Sequence, residues 1–363
     1  MIRPLQHVQV YDVARTAHFE RILRSGSPTT VLYSERRYDF DARLAEQTGA
    51  RRTGLLGAFW YTLRNHIDVL EVAEPLLVRA APRSFAAIVG ARVRAGFRGA
   101  RPMIVTYAIE NKDPRDGFET LPSRTRMKWR AQRLFVRRVW SMLDRVAYGT
   151  SQSQNLYTRL LGASRADQRL IPALPVADIA QAGSTPRERT VTFLGEFSER
   201  KGFPLLLRAW PEVKSAVPGA RLVLIGKGGG ETEAHDLAAR DDAVTVEIDP
   251  PRARIFALLA QTKVLAFASQ PRPRWREQVG LPIVEALGRG CLIATTSETG
   301  LARWLEEHGH AVIEDPSDAS EFAQAIQTAL LSTRSPADIV ADLPPRDGRA
   351  DAEHWILTGE TGG

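Results

Sequence analysis

The chain has 363 residues, more than one hydrophobic core usually holds, so two domains are expected. A hydrophobic fraction of 44% with 25% charged residues is that of a water-soluble globular protein, and no apolar run reaches the roughly 18 residues a membrane span needs. The net charge of +7 suits a nucleotide ligand, an anionic membrane or nucleic acid equally and does not choose among them. In chain order, 8–13 and 30–33 read as strands. The runs 68–72 (DVLEV) and 103–107 (MIVTY) read more clearly, each behind a polar or proline boundary. A long amphipathic helix at about 124–143 leads into a strand at 145–148, a helix at 155–161 and a strand at 169–171.

The second half repeats this alternation more cleanly. Strands are expected at 191–194, 221–225, 244–248, 264–267, 291–295 and 311–313. Helices are expected at about 204–216, 231–239, 252–261, 282–288, 300–307 and 319–331. Strands alternating with helices imply α/β domains with parallel sheets covered on both faces. A stretch rich in proline, alanine and polar residues separates the halves. The expected division is therefore a domain over 1–172, a linker over 173–188, a second domain over 189–334 and a tail over 335–363. Within the tail only 351–357 reads as helical, and 359–363 reads as mobile.

Cys291 is the only cysteine, which leaves no intrachain disulfide and no thiolate metal site. It reads as a small buried apolar residue in a strand. The opening MIRPLQHVQV lacks the apolar core of a signal peptide, so the chain reads as cytoplasmic.

Two stretches carry chemistry. LGEFSERKG at 194–202 follows a strand and precedes a helix. EQVGLPIVE at 277–285 sets two glutamates eight positions apart around Gly280 and runs into another helix. Strand, tight glycine turn and helix together suit a phosphorylated ligand, because a helix N-terminus presents free amides and a positive dipole end.

On Gly195, Lys201, Gly202, Glu277, Gly280 and Glu285 the chain resembles the retaining family-4 glycosyltransferases of the GT-B fold. The likeness is specific over about 190–315, looser over 67–175 and faint at the N-terminus. It implies two Rossmann-like, doubly wound parallel-sheet domains facing across a cleft. It also implies transfer of a sugar from a UDP- or GDP-sugar, without a metal or other cofactor. By resemblance, Lys201 and Glu277 are the catalytic candidates: Lys201 meets the donor diphosphate and Glu277 the sugar hydroxyls near the anomeric centre. Glu285 corresponds to the residue that holds ribose. The amides of Val279, Gly280 and Leu281 cover the diphosphate, with Gly195, Arg200 and Gly202 completing the donor site. Glu196 departs from the pattern, since the family places an arginine there. Glu196 is expected to pair with Arg200 or with an arginine from 272–276, and Arg200, Arg274 and Arg276 are candidates for the missing positive charge. The histidine that the family often carries after the strand matching MIVTY is absent. Glu110 and Asn111 stand there instead, and His18 follows the first strand where a glycine-rich loop is usual; these are the acceptor-side candidates.

The glycine run 226–230 reads as a turn with a nucleotide cover as the alternative, and the base is expected near 246–249. The helix over 124–140 is basic and aromatic, with an apolar stripe at Met127, Ala131, Leu134, Phe135 and Val139. It reads as a core-packed helix with a solvated basic face; a peripheral contact with an anionic membrane is the sharper alternative. No nucleic-acid-binding pattern is present. The partners expected are a nucleotide sugar and a small-molecule acceptor. One competing reading is a membrane-associated enzyme with a lipid-linked or cell-envelope glycan acceptor. Another is a non-catalytic basic binding protein on the same scaffold. The sequence names neither base, sugar, acceptor nor oligomeric state.

Overall fold

A computed structural model describes residues 5–25, 28–37, 40–178 and 187–360. Residues 179–186 of the expected linker and 361–363 of the expected tail lie outside them. The chain divides into two units. One comprises Met1–Gly149, Ser153–Ile171 and Ala350–Gly363, and the other Thr150–Gln152 and Pro172–Arg349.

The first unit is built on a seven-stranded sheet. Its strands are β1 (His7–Ala14), β2 (Thr29–Arg36), β3 (Arg51–Arg52), β4 (Val69–Val72), β5 (Met103–Ala108), β6 (Arg145–Tyr148) and β7 (Asp167–Leu170). Their order is β3-β2-β1-β4-β5-β6-β7, and every pair is parallel. All four residues of β4 are buried, as expected of a strand covered on both faces. Leu70 and Val72 join a core with Ile88, Val136, Val139 and Trp140. Val69, on the opposite face, packs in a core with Ala352, Trp355 and Ile356 from the helix Gly348–Thr358. The far end of the sequence thus covers one face of this sheet. Arg145 fastens it there by donating to the carbonyl of Ile356 at 3.0 Å.

The second unit holds β8 (Thr190–Leu194), β9 (Arg221–Gly226), β10 (Val244–Ile248), β11 (Val264–Phe267), β12 (Leu292–Thr296) and β13 (Ala311–Ile313). These form a parallel sheet ordered β10-β9-β8-β11-β12-β13. Its core includes Phe193, Phe197, Phe203, Trp210, Phe267 and Phe322, with Cys291 fully buried in it and its thiol donating to the Leu259 carbonyl at 3.3 Å. Both sheets are Rossmann-like. Each reverses its winding once, between β1 and β4 in the first unit and between β8 and β11 in the second. In such sheets ligands bind outside the strand C-termini at this switch point.

Two local readings change. Residues 335–349 belong to the second unit and include a further helix, Pro336–Ala341. A capping box starts it: the Ser335 side chain accepts from Asp338 N while the Asp338 carboxylate accepts from Ser335 N. The stripe proposed on the 124–140 helix also splits. The helix spans Ser123–Trp140 and buries Val136, Val139 and Trp140, whereas Met127 and Leu134 are 70% and 74% exposed. Among the described residues no helix is long and apolar enough to cross a membrane.

Candidate active site

In the second unit the chain leaves β8 through Gly195, makes a single tight turn at Glu199–Lys201 and enters the helix Phe203–Ala216 at Gly202. Gly202 has φ +72°, and a Cβ there would lie 1.8 Å from the carbonyl oxygen of Ala268, just past β11. Only glycine lets the turn after β8 pass this close to the end of β11. The approach brings together side chains 76 residues apart, with the Lys201 ammonium donating to Glu277 Oε2. Ser269 Oγ donates to the same oxygen at 3.2 Å. The ammonium also lies 4.9 Å from the Phe267 ring centroid and 5.4 Å from that of Trp275, within reach of their π faces. Both partners of the pair are 13% exposed.

Neighbouring charges are matched too. Arg200 donates to Glu196 Oε2 at 2.6 Å and stacks 4.5 Å over Trp275. Arg272 pairs with Glu199, and Arg276 Nε lies 3.6 Å from Glu298. Arg274 sits at φ +69° in the exposed turn closed by the Arg272–Trp275 bridge. Glu285, on the helix Leu281–Leu287, meets Arg252 at 3.0 Å. Burial raises the Glu285 pKa, and Arg252 and Arg289 pull it back down.

Between the two glutamates the backbone is pinned from one side. Thr299 Oγ1 donates to the Val279 carbonyl at 3.0 Å, and Gly300 N donates to the carbonyls of Glu277 and Gln278. Gly280 takes φ +80° as the chain turns into the helix. Among the described residues no acceptor takes the amides of Val279, Gly280 or Leu281. Three consecutive unpaired donors beside a lysine form an anion-binding arrangement. Nearby is a cavity of about 670 Å³ lined by Gly195, Glu196, Gly226, Lys227, Asp249 and Ile255. The glycine run after β9 is a turn, with Gly228 N on Glu231 Oε1 at 2.8 Å, and it also lines this cavity.

The switch point of the first unit is built differently. Glu74, two residues past β4, is buried, and its Oε2 accepts from Ile109 N at 3.0 Å, Glu110 N at 2.9 Å and Tyr157 Oη at 3.1 Å. Burial, with the Glu110 charge beside it, pushes the Glu74 carboxyl up to about 8. Glu110 and Asn111 are themselves buried, and Lys112 N donates to Glu110 Oε1 at 3.0 Å. His18 stacks on Tyr11 at 4.2 Å and accepts from Arg15 N at 3.3 Å.

Residues 188–332 match the family described as Glycosyl transferases group 1. Over that span the chain is similar to the group 1 glycosyltransferases. A D-inositol 3-phosphate glycosyltransferase of Segniliparus rotundus is 28% identical over 169 residues, covering 44% of this chain and 36% of the relative. The lipopolysaccharide core biosynthesis glycosyltransferase LpsE of Rhizobium meliloti is 28% identical over 183 residues, covering 48% and 47%. The chain thus spans about a third to a half of the length of these curated relatives. Among solved structures, Anabaena HepE in complex with UDP superposes with a TM-score of 0.63 at 16% identity, covering 97% of this chain and 98% of HepE. The lipopolysaccharide outer core galactosyltransferase WaaB, in its apo form, gives 0.68 at 10% identity, covering 97% and 100%. The two parallel-sheet Rossmann-like domains are those of the GT-B fold.

Within the group 1 domain the structure gathers Gly195, Arg200, Lys201, Gly202, Glu277, Val279, Gly280 and Leu281 around the ends of β8 and β11, with Glu285 one helical turn further. His18, Glu110 and Asn111 lie in the other unit, outside the ends of β1 and β5. Sequence reasoning missed Ser269, Trp275, Glu298 and Glu74. Trp275 was visible as the single aromatic within the arginine-rich 271–277 run. Glu74 had only its place after the DVLEV strand to mark it.

Proposed function

We propose that the chain is a retaining, metal-independent glycosyltransferase that moves a sugar from a UDP- or GDP-sugar to a hydroxyl of a small-molecule acceptor. The observation that carries this reading is the meeting of Lys201 and Glu277 at the switch point, beside the unpaired amides of Val279, Gly280 and Leu281. A donor diphosphate would take the Lys201 ammonium and those amides, and Glu277, released from Lys201, would receive sugar hydroxyls. Glu285 would hold the ribose, and the cavity beside Gly195 and Asp249 would take the base. In the transfer, the bond from the anomeric carbon to the diphosphate oxygen breaks. The acceptor oxygen bonds that carbon on the same face, and its proton passes to the departing diphosphate. The protein's part is to position the partners and neutralise the leaving group.

The UDP complex of HepE supports UDP as the nucleotide. A GDP-mannose-dependent relative from Mycolicibacterium smegmatis, 26% identical over 244 residues, supports GDP. A thermal-shift screen against UDP, GDP and dTDP decides between them, because a ligand that binds only the native state raises its stability. Turnover of the matching nucleotide sugar, followed by nucleoside diphosphate release, is expected to survive EDTA. Loss in EDTA restored by Mg²⁺ or Mn²⁺ would remove the metal-independent assignment. Binding without release at any acceptor would favour the non-catalytic reading. A second transferase reading, with a lipid-linked or cell-envelope acceptor, is favoured by the exposure of Met127 and Leu134.

A further inference from the structure

The helix Ser123–Trp140 carries seven arginine and lysine residues and no acid. Arg124 and Lys128, Arg126 and Arg130, and Arg133 and Arg137 stand four apart, the spacing at which like charges repel on a helix surface. Among the described residues the recorded acid partner for these cations is Glu119, 3.3 Å from Arg126. The helix packs inward through Val136, Val139 and Trp140, all at most 5% exposed. Met127, Ala131 and Leu134, at positions i, i+4 and i+7, form an exposed apolar line along the opposite side. At 3.6 residues per turn, Arg124, Arg130, Arg137 and Arg138 fall on the same half of the helix as this line. Beside it opens a pocket of about 390 Å³, with Leu76, Val78 and Leu160 among its apolar walls and Arg133, Arg137 and Arg138 among its cations. The one acid lining that pocket, Asp113, is engaged by Arg115 at 2.6 Å and by Arg159 at 3.8 Å, so the surroundings stay cationic.

We propose that this face of the first unit docks on an anionic lipid bilayer, with phospholipid phosphates on the arginines and Met127 and Leu134 in the acyl boundary. Charge complementarity selects an anionic surface. The apolar line and the apolar-walled pocket select lipid over nucleic acid, which offers no hydrocarbon phase to receive exposed Met and Leu side chains. The inference does not rest on transferase activity.

Cosedimentation with phosphatidylcholine vesicles containing about a third phosphatidylglycerol tests it without sugar or nucleotide present. The protein is expected to sediment with these vesicles and to stay in solution with pure phosphatidylcholine. Arg133→Glu/Arg137→Glu/Arg138→Glu, all at exposed positions, should lower partitioning about a hundredfold, taking roughly fivefold per basic residue near the surface. Met127→Ser/Leu134→Ser should lower it about tenfold while thermal unfolding stays unchanged. Equal sedimentation with both vesicle types would overturn the proposal, as would indifference to the charge reversal. So would indifference to the serine pair, or binding of duplex DNA as tight as that of the anionic vesicles.

Discussion

The two switch points place a glutamate at the same topological position and use it in opposite ways. Glu277 stands beside β11 with an ammonium as partner, and its side chain and that of Lys201 each keep some exposure. Glu74 stands beside β4, buried to 7% exposure, with three hydrogen-bond donors on one oxygen and a second carboxylate, Glu110, next to it. In the proposed donor site the first is an exchangeable ion pair: an incoming anion would take the lysine, and incoming hydroxyls would take the glutamate. The second is a fixed acid whose one oxygen is held by three donors and ties the end of β5 to the helix Ser151–Leu161. Fold topology makes both places available, and the partners each glutamate finds leave the proposed donor site at one and a brace at the other.

The largest expected break between the units is in their response to pH. Folding raises the Glu74 carboxyl from 4.5 to about 8, so the native state holds a proton that the unfolded chain releases. That contribution is full below about pH 4.5 and is lost as pH rises toward 8. In the second unit, burial and the nearby Arg334 lower His310 from 6.5 to about 3, and its Nδ1 accepts from Ile293 N at 3.1 Å. That contribution is full above pH 6.5 and is lost as pH falls toward 3. Each is of the order of a few kcal/mol across its window. Urea unfolding at pH 5 and pH 8 should show Glu74→Gln removing a loss of stability on the alkaline side. His310→Asn should remove one on the acid side. A Glu74→Gln protein with the parent's slope between pH 5 and 8 would show that Glu74 is already ionised in the fold.

Next in size is the Lys201–Glu277 pair. Lys201→Ala should weaken UDP or GDP binding about tenfold to a hundredfold, since a charge-assisted phosphate contact is worth roughly 1.5–3 kcal/mol. It should also destabilise the fold, because it strands a mostly buried carboxylate. Glu277→Ala should leave bare nucleotide affinity intact or tighten it, because the lysine no longer has an internal partner, while turnover falls. Calorimetry on the two variants separates these roles. Parallel loss of nucleotide binding in both would show that Glu277 touches the nucleotide itself.

The second unit was the more legible in sequence for a physical reason. Gly202 and Gly280 are demanded by positive φ at strand-to-helix turns, and Lys201 and Glu285 lie within a few residues of them. Such signals are local, so a short window contains them. Glu74 acts through Ile109, Glu110 and Tyr157, 35 to 83 residues away, and no window shows that convergence. On the Ser123–Trp140 helix the helical period put Met127, Ala131, Leu134, Phe135 and Val139 on one stripe, which the structure splits between core and surface. It did not show that the face through Val136 and Trp140 would win the core while Met127 and Leu134 stayed outside. Periodicity gives the spacing of a face, and only the packing partner gives its direction.

A smaller effect is expected at Glu285, where the carboxylate already has Arg252 at 3.0 Å. Glu285→Ala should weaken bare nucleotide binding about tenfold and raise KM for the donor, consistent with loss of hydrogen bonds to ribose. If affinity for the free nucleotide is unchanged while turnover drops, Glu285 meets the sugar instead, and its role and that of Glu277 exchange.

The smallest effect is expected at Glu196, where this chain departs from the family it resembles. A carboxylate near a bound diphosphate is unfavourable unless a cation stands between them. Arg200 supplies that cation at 2.6 Å, and the Glu196 side chain is 50% exposed. Solvent screening at that exposure leaves the ion pair worth no more than about 1 kcal/mol. Replacing it by arginine loses that pair and brings a like charge to Arg200, four residues on. It also restores the positive charge that the family carries beside the diphosphate. These terms are of similar size and opposite sign, so Glu196→Arg should leave unfolding nearly unchanged and hold or improve UDP or GDP affinity within a few-fold. Glu196→Gln, which removes the charge without adding one, should fall between the parent and the arginine variant. Affinity that drops tenfold or more in Glu196→Arg with the fold intact, and drops in Glu196→Gln as well, would mean that the carboxylate itself contacts the ligand. The cavity lined by Glu196 and Asp249 would then be where that contact is made.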